Sequence, residues 1–167
     1  MPESVGVGPS VSALLAMADV PAPSAWVEAH LPDPARGRRA LDLACGSGRH
    51  ALLMARAGFD VVAVDRNVDA LNRLQEIWAQ SKATAPAAGS ITTMRLELEG
   101  ETWPLPVGDF GQWDLILVAN YLYRPYLAQL PPMLSRGGRL IYETFAAGNA
   151  AFGRPSSPDF LLLPDEL

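Results

Sequence analysis

The chain of 167 residues has one cysteine and two histidines, and these scarcities exclude two kinds of site. The single cysteine, Cys45, excludes an internal disulfide, which suits a reducing compartment. The histidines are His30 and His50, and the sequence has no HExxH motif and no cysteine cluster. Zinc and similar metals need such clusters of ligands, so we expect no metal site.

Long apolar runs and clustered basic residues are also missing. No apolar run reaches 18 residues, so we expect no membrane span. The first ten residues, MPESVGVGPS, carry Glu3 in place of a basic segment, which predicts no signal peptide. The net charge is −5, and the 13 Lys and Arg residues are scattered, whereas nucleic-acid binders usually show a basic face. We therefore expect a cytoplasmic protein with a small-molecule substrate and with no nucleic-acid or membrane partner.

What is present indicates one globular unit. A length of 167 residues with 49% hydrophobic content is enough for one core. We predict a single domain over residues 1–167. It consists of a helical lead-in at 1–35, a core at 36–145 and a tail at 146–167.

Apolar runs alternate with helical patterns along this core. The predicted helices lie at 10–19, at 24–31, at 49–58 with Gly58 as the stop signal, after the capping residue Asn67, and, interrupted by prolines, at 122–135. The five predicted strands are ALDLACG directly after Arg39, FDVVAVD at 59–65, ITTMRLELEG at 91–100, WDLILVAN at 113–120 and GGRLIYETF at 137–145.

Strands that are apolar almost throughout and alternate with helices indicate an α/β fold, a doubly wound, mostly parallel sheet with helices on both faces. Right-handed crossovers then put the ligand at the carboxyl ends of the strands, beside the first strand. Acids, glycines and one amide lie at or just past these ends, namely Asp42, Gly46, Gly48, Asp65, Glu97 and Asn120.

The stretch LDLACGSGRH, residues 41–50, permits two kinds of nucleotide. Gly46, Gly48 and Ala51 fit the dinucleotide pattern G-x-G-x-x-A, in which a pyrophosphate rests on the helix N-terminus. Asp42, however, would put a carboxylate close to those phosphates, at a repulsion on the order of several kcal/mol. The acid favours a ligand that carries an ammonium group and no phosphate.

The same stretch resembles the first motif of class I S-adenosylmethionine-dependent methyltransferases, with Ala44 where a glycine is often found. Asp65 after VVAV resembles that family's second acid, which accepts hydrogen bonds from both ribose hydroxyls. LELEG resembles the third element, with Glu97 near the adenine amino group and Leu98 against the ring. WDLILVANYLYRP resembles the fourth-strand motif that faces the methyl group. The resemblance runs from about Trp26 to the C-terminus and is closest to bacterial small-molecule methyltransferases that include the tellurite-resistance group.

This resemblance implies a Rossmann-like methyltransferase fold, S-adenosyl-L-methionine as cofactor and methyl transfer to a small molecule. The cofactor-binding residues that it implies are Asp42, Ala44, Cys45, Gly46, Gly48, Arg49, Asp65, Arg66, Glu97, Leu98 and Asn120. The acceptor-side candidates are Asn120, Tyr121 and Tyr123, followed by Tyr142 and Glu143. The family fold has seven strands and we predict five, so we expect the last antiparallel pair to be missing and a second copy or the tail to cover the open edge.

Other interpretations of single residues remain open. Asp42 can be a capping or salt-bridged acid, and Asp65 at a strand end fits the ribose of NAD equally well. Cys45 is expected to pack as a small apolar group. His50 either has a structural role or contacts the substrate. Arg49 either meets the carboxylate of the cofactor or is a solvated residue of the first helical turn.

Two other functions compete with methyl transfer. One is a protein that binds S-adenosylmethionine or S-adenosylhomocysteine with an incomplete catalytic half. The other is an NAD(P)-dependent oxidoreductase. Asp42 argues against it, as does the lone lysine, Lys82, which forms no Tyr-x-x-x-Lys pair. Tellurite, thiols, amines and small carboxylates all stay open as acceptors.

Overall fold

A computed structural model describes residue 13 and residues 15–16, 19–33, 38–84 and 89–167. The predicted helix at 10–19 falls mostly outside these residues. The helices and strands are, in chain order, α1 (Ala25–His30), β1 (Arg39–Leu43), α2 (Arg49–Ala57), β2 (Asp60–Asp65), α3 (Val68–Thr84), β3 (Ser90–Arg95), β4 (Trp113–Ala119), α4 (Leu130–Met133) and β5 (Leu134–Glu143).

The five strands form one sheet in the order β3-β2-β1-β4-β5, and every pairing is parallel. The strand order reverses direction at β1, which has β2 on one side and β4 on the other. All the carboxyl ends therefore meet at one edge, and the switch point lies between β1 and β4. The prediction of a doubly wound parallel α/β sheet is confirmed.

Each face of the sheet is covered by its own apolar layer. On one face, Met54 of α2 and Leu74 and Trp78 of α3 pack against strand residues such as Leu115. On the other face, Leu130 and Met133 of α4 and Leu105 of the segment between β3 and β4 cover Leu41 and Ile116. Burial on both faces explains why the central strands are apolar without alternation.

The helix ends follow the signals in the sequence. Asn67 Oδ1 accepts hydrogen bonds from the backbone N–H groups of Asp69 (3.0 Å) and Ala70 (3.1 Å), so α3 has the predicted cap. Gly58 ends α2 in the left-handed region at φ 108°. Ser24 Oγ accepts from the N–H of Val27 and caps α1.

Three predicted elements need correction. The third strand ends at Arg95 and not at Gly100, because its neighbour β2 ends at Asp65, the partner of Arg95. The predicted helix over 122–135 is a 3-10 segment, Arg124–Gln129, followed by the single turn of α4, because its prolines remove backbone donors. The fifth strand begins at Leu134, ahead of the glycines, and its pairing with β4 shifts register between Trp113 and Leu115.

Residues 144–167 contain two 3-10 turns and one parallel bridge, between Ala146 and Leu162. Arg124 holds this segment, since its guanidinium donates to the Glu166 carboxylate and to the carbonyls of Asp159 and Leu161. β5 is an edge strand of the sheet in the part of the chain that is described. Within that part, no helix has the length and the apolar character that crossing a membrane requires.

Gly48 links the turn after β1 to α3, so its substitution tests this packing. Its φ is +76°, and an added Cβ would lie 2.5 Å from Leu74 Cδ1. We expect Gly48→Ala to lower the free energy of unfolding by about 2–4 kcal/mol, the sum of left-handed strain and overpacking. Urea denaturation followed by circular dichroism measures this change.

Gly111→Ala is the matched control, because Gly111 has φ +69° and open space around its Cα. It carries only the left-handed penalty, about 1 kcal/mol. An equal loss in both variants would contradict the claimed contact with Leu74.

Candidate cofactor-binding site at the sheet switch point

The turn after β1 is built from left-handed residues. Ala44, Gly46 and Gly48 have φ values of 54°, 54° and 76°, and Asn120 at the end of β4 has φ 55°. This backbone turns sharply from the strand into α2 and leaves open space at the switch point. Ala44 bears a strain on the order of 1–2 kcal/mol there, which explains why a glycine would suit this position.

Asp65, the last residue of β2, fixes this turn against the next loop. Its Oδ2 accepts a hydrogen bond from the N–H of Gly46, and its Oδ1 accepts one from the N–H of Asn67, both at 2.8 Å. Each carboxylate oxygen keeps a further lone pair for a ligand hydroxyl. Asp65 therefore shapes the site and still faces its opening.

One compartment of the site lies past β2 and β3. It is a cavity of about 150 Å³ with acids, one arginine and apolar side chains in its wall, namely Ala44, Asp65, Arg66, Leu96, Glu97, Leu98, Glu99 and Tyr121. Arg66 Nη1 and Glu97 Oε2 are 3.9 Å apart, with both side chains more than half exposed. Such a pair contributes little to stability, so both groups are available to a ligand.

The second compartment, of about 350 Å³, lies between β1, β4 and α2. It is lined by Pro21, Asp42, Ala44, Cys45, Gly46, Ser47, Arg49, His50, Ala119 and Asn120. Ala44 belongs to both compartments, so they meet at its side chain. The result is one groove with two chemically different ends.

Asp42 is a buried acid in the wall of this groove. It is only 2% exposed, and its Oδ2 has no hydrogen-bond partner among the described residues. Burial raises the pKa of its carboxyl to about 7, although the N–H of Ala51 and the charge of Arg49 oppose that shift. A buried oxygen without a partner is costly, so this site is poised for a ligand that donates a hydrogen bond or a positive charge.

Two side chains that line the groove, Cys45 and Tyr121, and the nearby Tyr142 are held in their neutral forms. Burial, with the charges of Asp42 and Asp65, raises the pKa of the Cys45 thiol far above its usual range. Burial also raises the pKa of Tyr121 strongly, and that of Tyr142 to about 12. Neither a thiolate nor a phenolate base is thus present near neutral pH, and these groups act by packing and hydrogen bonding.

His50 makes a structural contact that its sequence position does not reveal. Its Nε2 accepts a hydrogen bond from the N–H of Ser24 at 3.0 Å, and burial lowers its pKa to about 4. Ser24 Oγ donates to Glu143 Oε2 at 2.7 Å. Sequence reasoning missed Ser24 and Pro21, because nothing local to Ser24 indicates a partner 119 residues away.

The predicted residues do not all come together. Asn120 lies in the compartment of Asp42, whereas Tyr121 lies in the compartment of Asp65. Tyr123 lines neither, and its hydroxyl donates to the carbonyl of Gly100 at 3.2 Å. Gly48 lines neither, and it contacts Leu74. Among the described residues, no three His, Cys, Asp or Glu side chains are grouped to hold a metal ion.

Comparison with known proteins gives consistent similarities. Residues 30–100 match the model of the tellurite resistance protein TehB family. A tRNA U34 carboxymethyltransferase of Alcanivorax borkumensis is 33% identical over 115 residues, which cover 65% of this chain and 33% of that protein.

Solved structures share the fold. An S-adenosylmethionine-dependent methyltransferase from Mesorhizobium loti has a TM-score of 0.55 at 24% identity, covering 72% of this chain and 52% of that one. Phosphoethanolamine N-methyltransferase 1 from Haemonchus contortus has a TM-score of 0.58 at 17% identity, covering 74% of this chain and 25% of that one.

The sheet order and these solved structures show that the chain has the fold of S-adenosylmethionine-dependent methyltransferases, and its glycine-rich turn and curated relatives resemble that family. Residues 30–100 match the TehB group, so the resemblance seen in the sequence is confirmed. The chain spans 33%, 35% and 42% of the lengths of the curated relatives that it matches.

The burial of Asp42 makes a prediction about stability. Its pKa of about 7 in the folded chain lies above the ordinary value of 3.8 for an aspartate, so the folded state binds the proton more tightly. Its ionisation therefore destabilises the fold as pH rises from about 4 to about 7. We expect Asp42→Asn to be more stable than the parent by about 2–4 kcal/mol at pH 8 and similar to it at pH 4.

Urea denaturation at both pH values measures the difference between the two proteins. The difference is the quantity to use, because His50 titrates in the opposite direction: its lowered pKa removes stability as pH falls from 6.5 towards 4. Glu101→Gln, at an exposed carboxylate, is the control and should show no such pH-dependent gain. A gain of the same size at pH 4 and pH 8 would contradict the role assigned to Asp42.

Proposed function

We propose that this chain binds S-adenosyl-L-methionine in the two-compartment groove and transfers its methyl group to a small-molecule acceptor. The observation that carries the proposal is the unpartnered, buried Oδ2 of Asp42 in a compartment that joins a second, acid-lined one at Ala44. An adenosine carrying an amino-acid tail with an ammonium group matches both ends. A dinucleotide would bring phosphates to the same carboxylate, which is unfavourable.

The groove offers a group for each part of this cofactor. At one end, Asp65 would accept the ribose hydroxyls, Glu97 the adenine amino group, and Leu98 would pack on the ring. At the other end, Asp42 would meet the ammonium group and Arg49 the carboxylate of the tail. The glycines of the turn let the backbone approach, and Ala44 lies at the junction.

When bound, this cofactor supplies an electrophilic methyl group, so the protein has to provide position and a dry environment. Asn120 is the best placed of the acceptor-side candidates, because it lines the compartment of Asp42 and its N–H is anchored on the carbonyl of Glu143 at 2.8 Å. Tyr121 is protonated and serves as a wall or a hydrogen-bond donor, not as a base. Tyr123 stays a candidate, but it lines neither compartment.

The acceptor is proposed to be small because the chain is acidic, with a net charge of −5. The relative from Alcanivorax borkumensis bears the name of a tRNA-modifying enzyme, but phosphate contacts would need a basic face. A homodimer through the edge strand β5 stays a prediction, which sedimentation equilibrium tests.

Titration of the protein with S-adenosylhomocysteine in a calorimeter tests the proposal. We expect micromolar binding and none of NAD. Glu97→Ala, which removes an exposed carboxylate, should weaken binding about tenfold, the effect of losing one hydrogen bond to a charged group. Asp65→Ala should weaken it more, because Asp65 also holds Gly46 and Asn67.

Circular dichroism controls for folding of the Asp65 variant. Tighter binding of NAD than of S-adenosylhomocysteine would reject the proposal in favour of an oxidoreductase. Binding without transfer to any acceptor would favour a protein that only binds the cofactor.

The pH dependence of binding tests the contact with Asp42 separately. With a pKa of about 7, this carboxyl is mostly ionised at pH 8 and mostly protonated at pH 6. An ammonium group prefers the ionised form, so the affinity for S-adenosylhomocysteine should fall about tenfold from pH 8 to pH 6. Asp42→Asn should bind more weakly at pH 8 and lose this dependence. An unchanged pH profile in the variant would refute the contact.

A further inference from the structure

A short N-terminal segment, residues 21–24, forms part of the wall of the Asp42 compartment. We call it the strap. Pro21 lines the compartment together with Asp42 and Asn120, although it precedes the parallel sheet in the chain. The groove therefore includes a piece that does not belong to any strand end.

Three hydrogen bonds fasten the strap to the body of the domain. Arg49 Nη1 donates to the carbonyl of Ala22 at 3.0 Å, and the N–H of Ser24 donates to His50 Nε2 at 3.0 Å. Ser24 Oγ donates to Glu143 Oε2 at 2.7 Å, the short distance typical of a hydroxyl on a carboxylate. The strap is thus held at once to the first turn of α2 and to the end of β5.

The same bonds position groups that face the ligand. Arg49 and His50 line the compartment as well as holding the strap. The carbonyl of Ala22 fixes one nitrogen of the Arg49 guanidinium, which constrains the direction of the rest of that group. No strap residue lines the other compartment, where Asp65, Glu97 and Leu98 lie.

We propose that Ser24 is a positioning residue for the amino-acid tail of the cofactor, acting through the strap and Arg49, and that it does not affect recognition of the adenosine. This inference rests on the proposed function. Ser24 lies outside the family motifs. The inference is that this serine makes the protein discriminate between ligands that carry the amino-acid tail and ligands that lack it.

The experiment compares two ligands that share the adenosine end. S-adenosylhomocysteine has the amino-acid tail, and 5′-methylthioadenosine does not. We expect Ser24→Ala to raise the Kd of S-adenosylhomocysteine about tenfold, the effect of one lost hydrogen bond to a charged group, and to change that of 5′-methylthioadenosine less than twofold. Ser24→Thr keeps the hydroxyl and should restore most of the discrimination.

Ser157→Ala is the matched control. Ser157 also caps a short helix, with its Oγ 3.4 Å from the N–H of Asp159, the same distance as from Ser24 Oγ to the N–H of Val27. It has no contact with the groove, so both Kd values should stay unchanged. The control separates the loss of a cap from the loss of the strap.

Glu143→Ala removes the other end of the same bond and leaves the cap of α1 intact. It should show the same selective loss, and the double variant Ser24→Ala/Glu143→Ala should be no weaker than either single one. Equal losses for both ligands, or no loss for either, would overturn the inference while the proposed function stands. Failure of the parent protein to bind S-adenosylhomocysteine would overturn both.

Discussion

The two hydrogen bonds that the Asp65 carboxylate accepts from Gly46 and Asn67 hold the functional edge of this protein together. One joins the turn after β1 to the end of β2, and the other fixes the chain that enters α3. The N–H of Cys45 also donates to the carbonyl of Val64 at 3.0 Å, so the turn at residues 44–48 is tied to β2 at two neighbouring points. The groove exists because one acid at the end of a buried strand satisfies backbone donors from two loops.

In the proposed function, the buried Asp42 lowers the stability of the fold and supplies a contact for the ligand. An apolar residue in the same place would complete the core of β1 without the cost of an unpartnered oxygen. A carboxyl with a pKa near 7 instead holds a charge that a ligand with an ammonium group can stabilise. The low polarity around the side chain then has two effects. It makes the unpartnered carboxyl costly in the free protein, and it strengthens the attraction to an ammonium group in the proposed complex.

Much of this fold follows from local patterns. The apolar runs predicted five strands, the turn signals at Asn67 and Gly58 predicted two helix ends, and the order of strands and helices predicted a parallel sheet. The errors lie where distant partners decide. The third strand ends where its neighbour ends, and β5 begins early because it pairs with Trp113. No local pattern contains that information.

The sequence by itself determined which chemistry the groove offers, because Asp42, Asp65 and Glu97 each follow or end an apolar run and parallel strands bring such ends to one edge. Tertiary structure alone decided how these groups are arranged. It put Tyr121 with Asp65 instead of Asn120, left Tyr123 on a loop carbonyl, and closed one end of the groove with Pro21 and Ser24. The physical reason is that a buried strand appears in the sequence as a continuous apolar run, so its end can be located there. Loops and the strap are instead positioned by single hydrogen bonds between residues far apart in the chain.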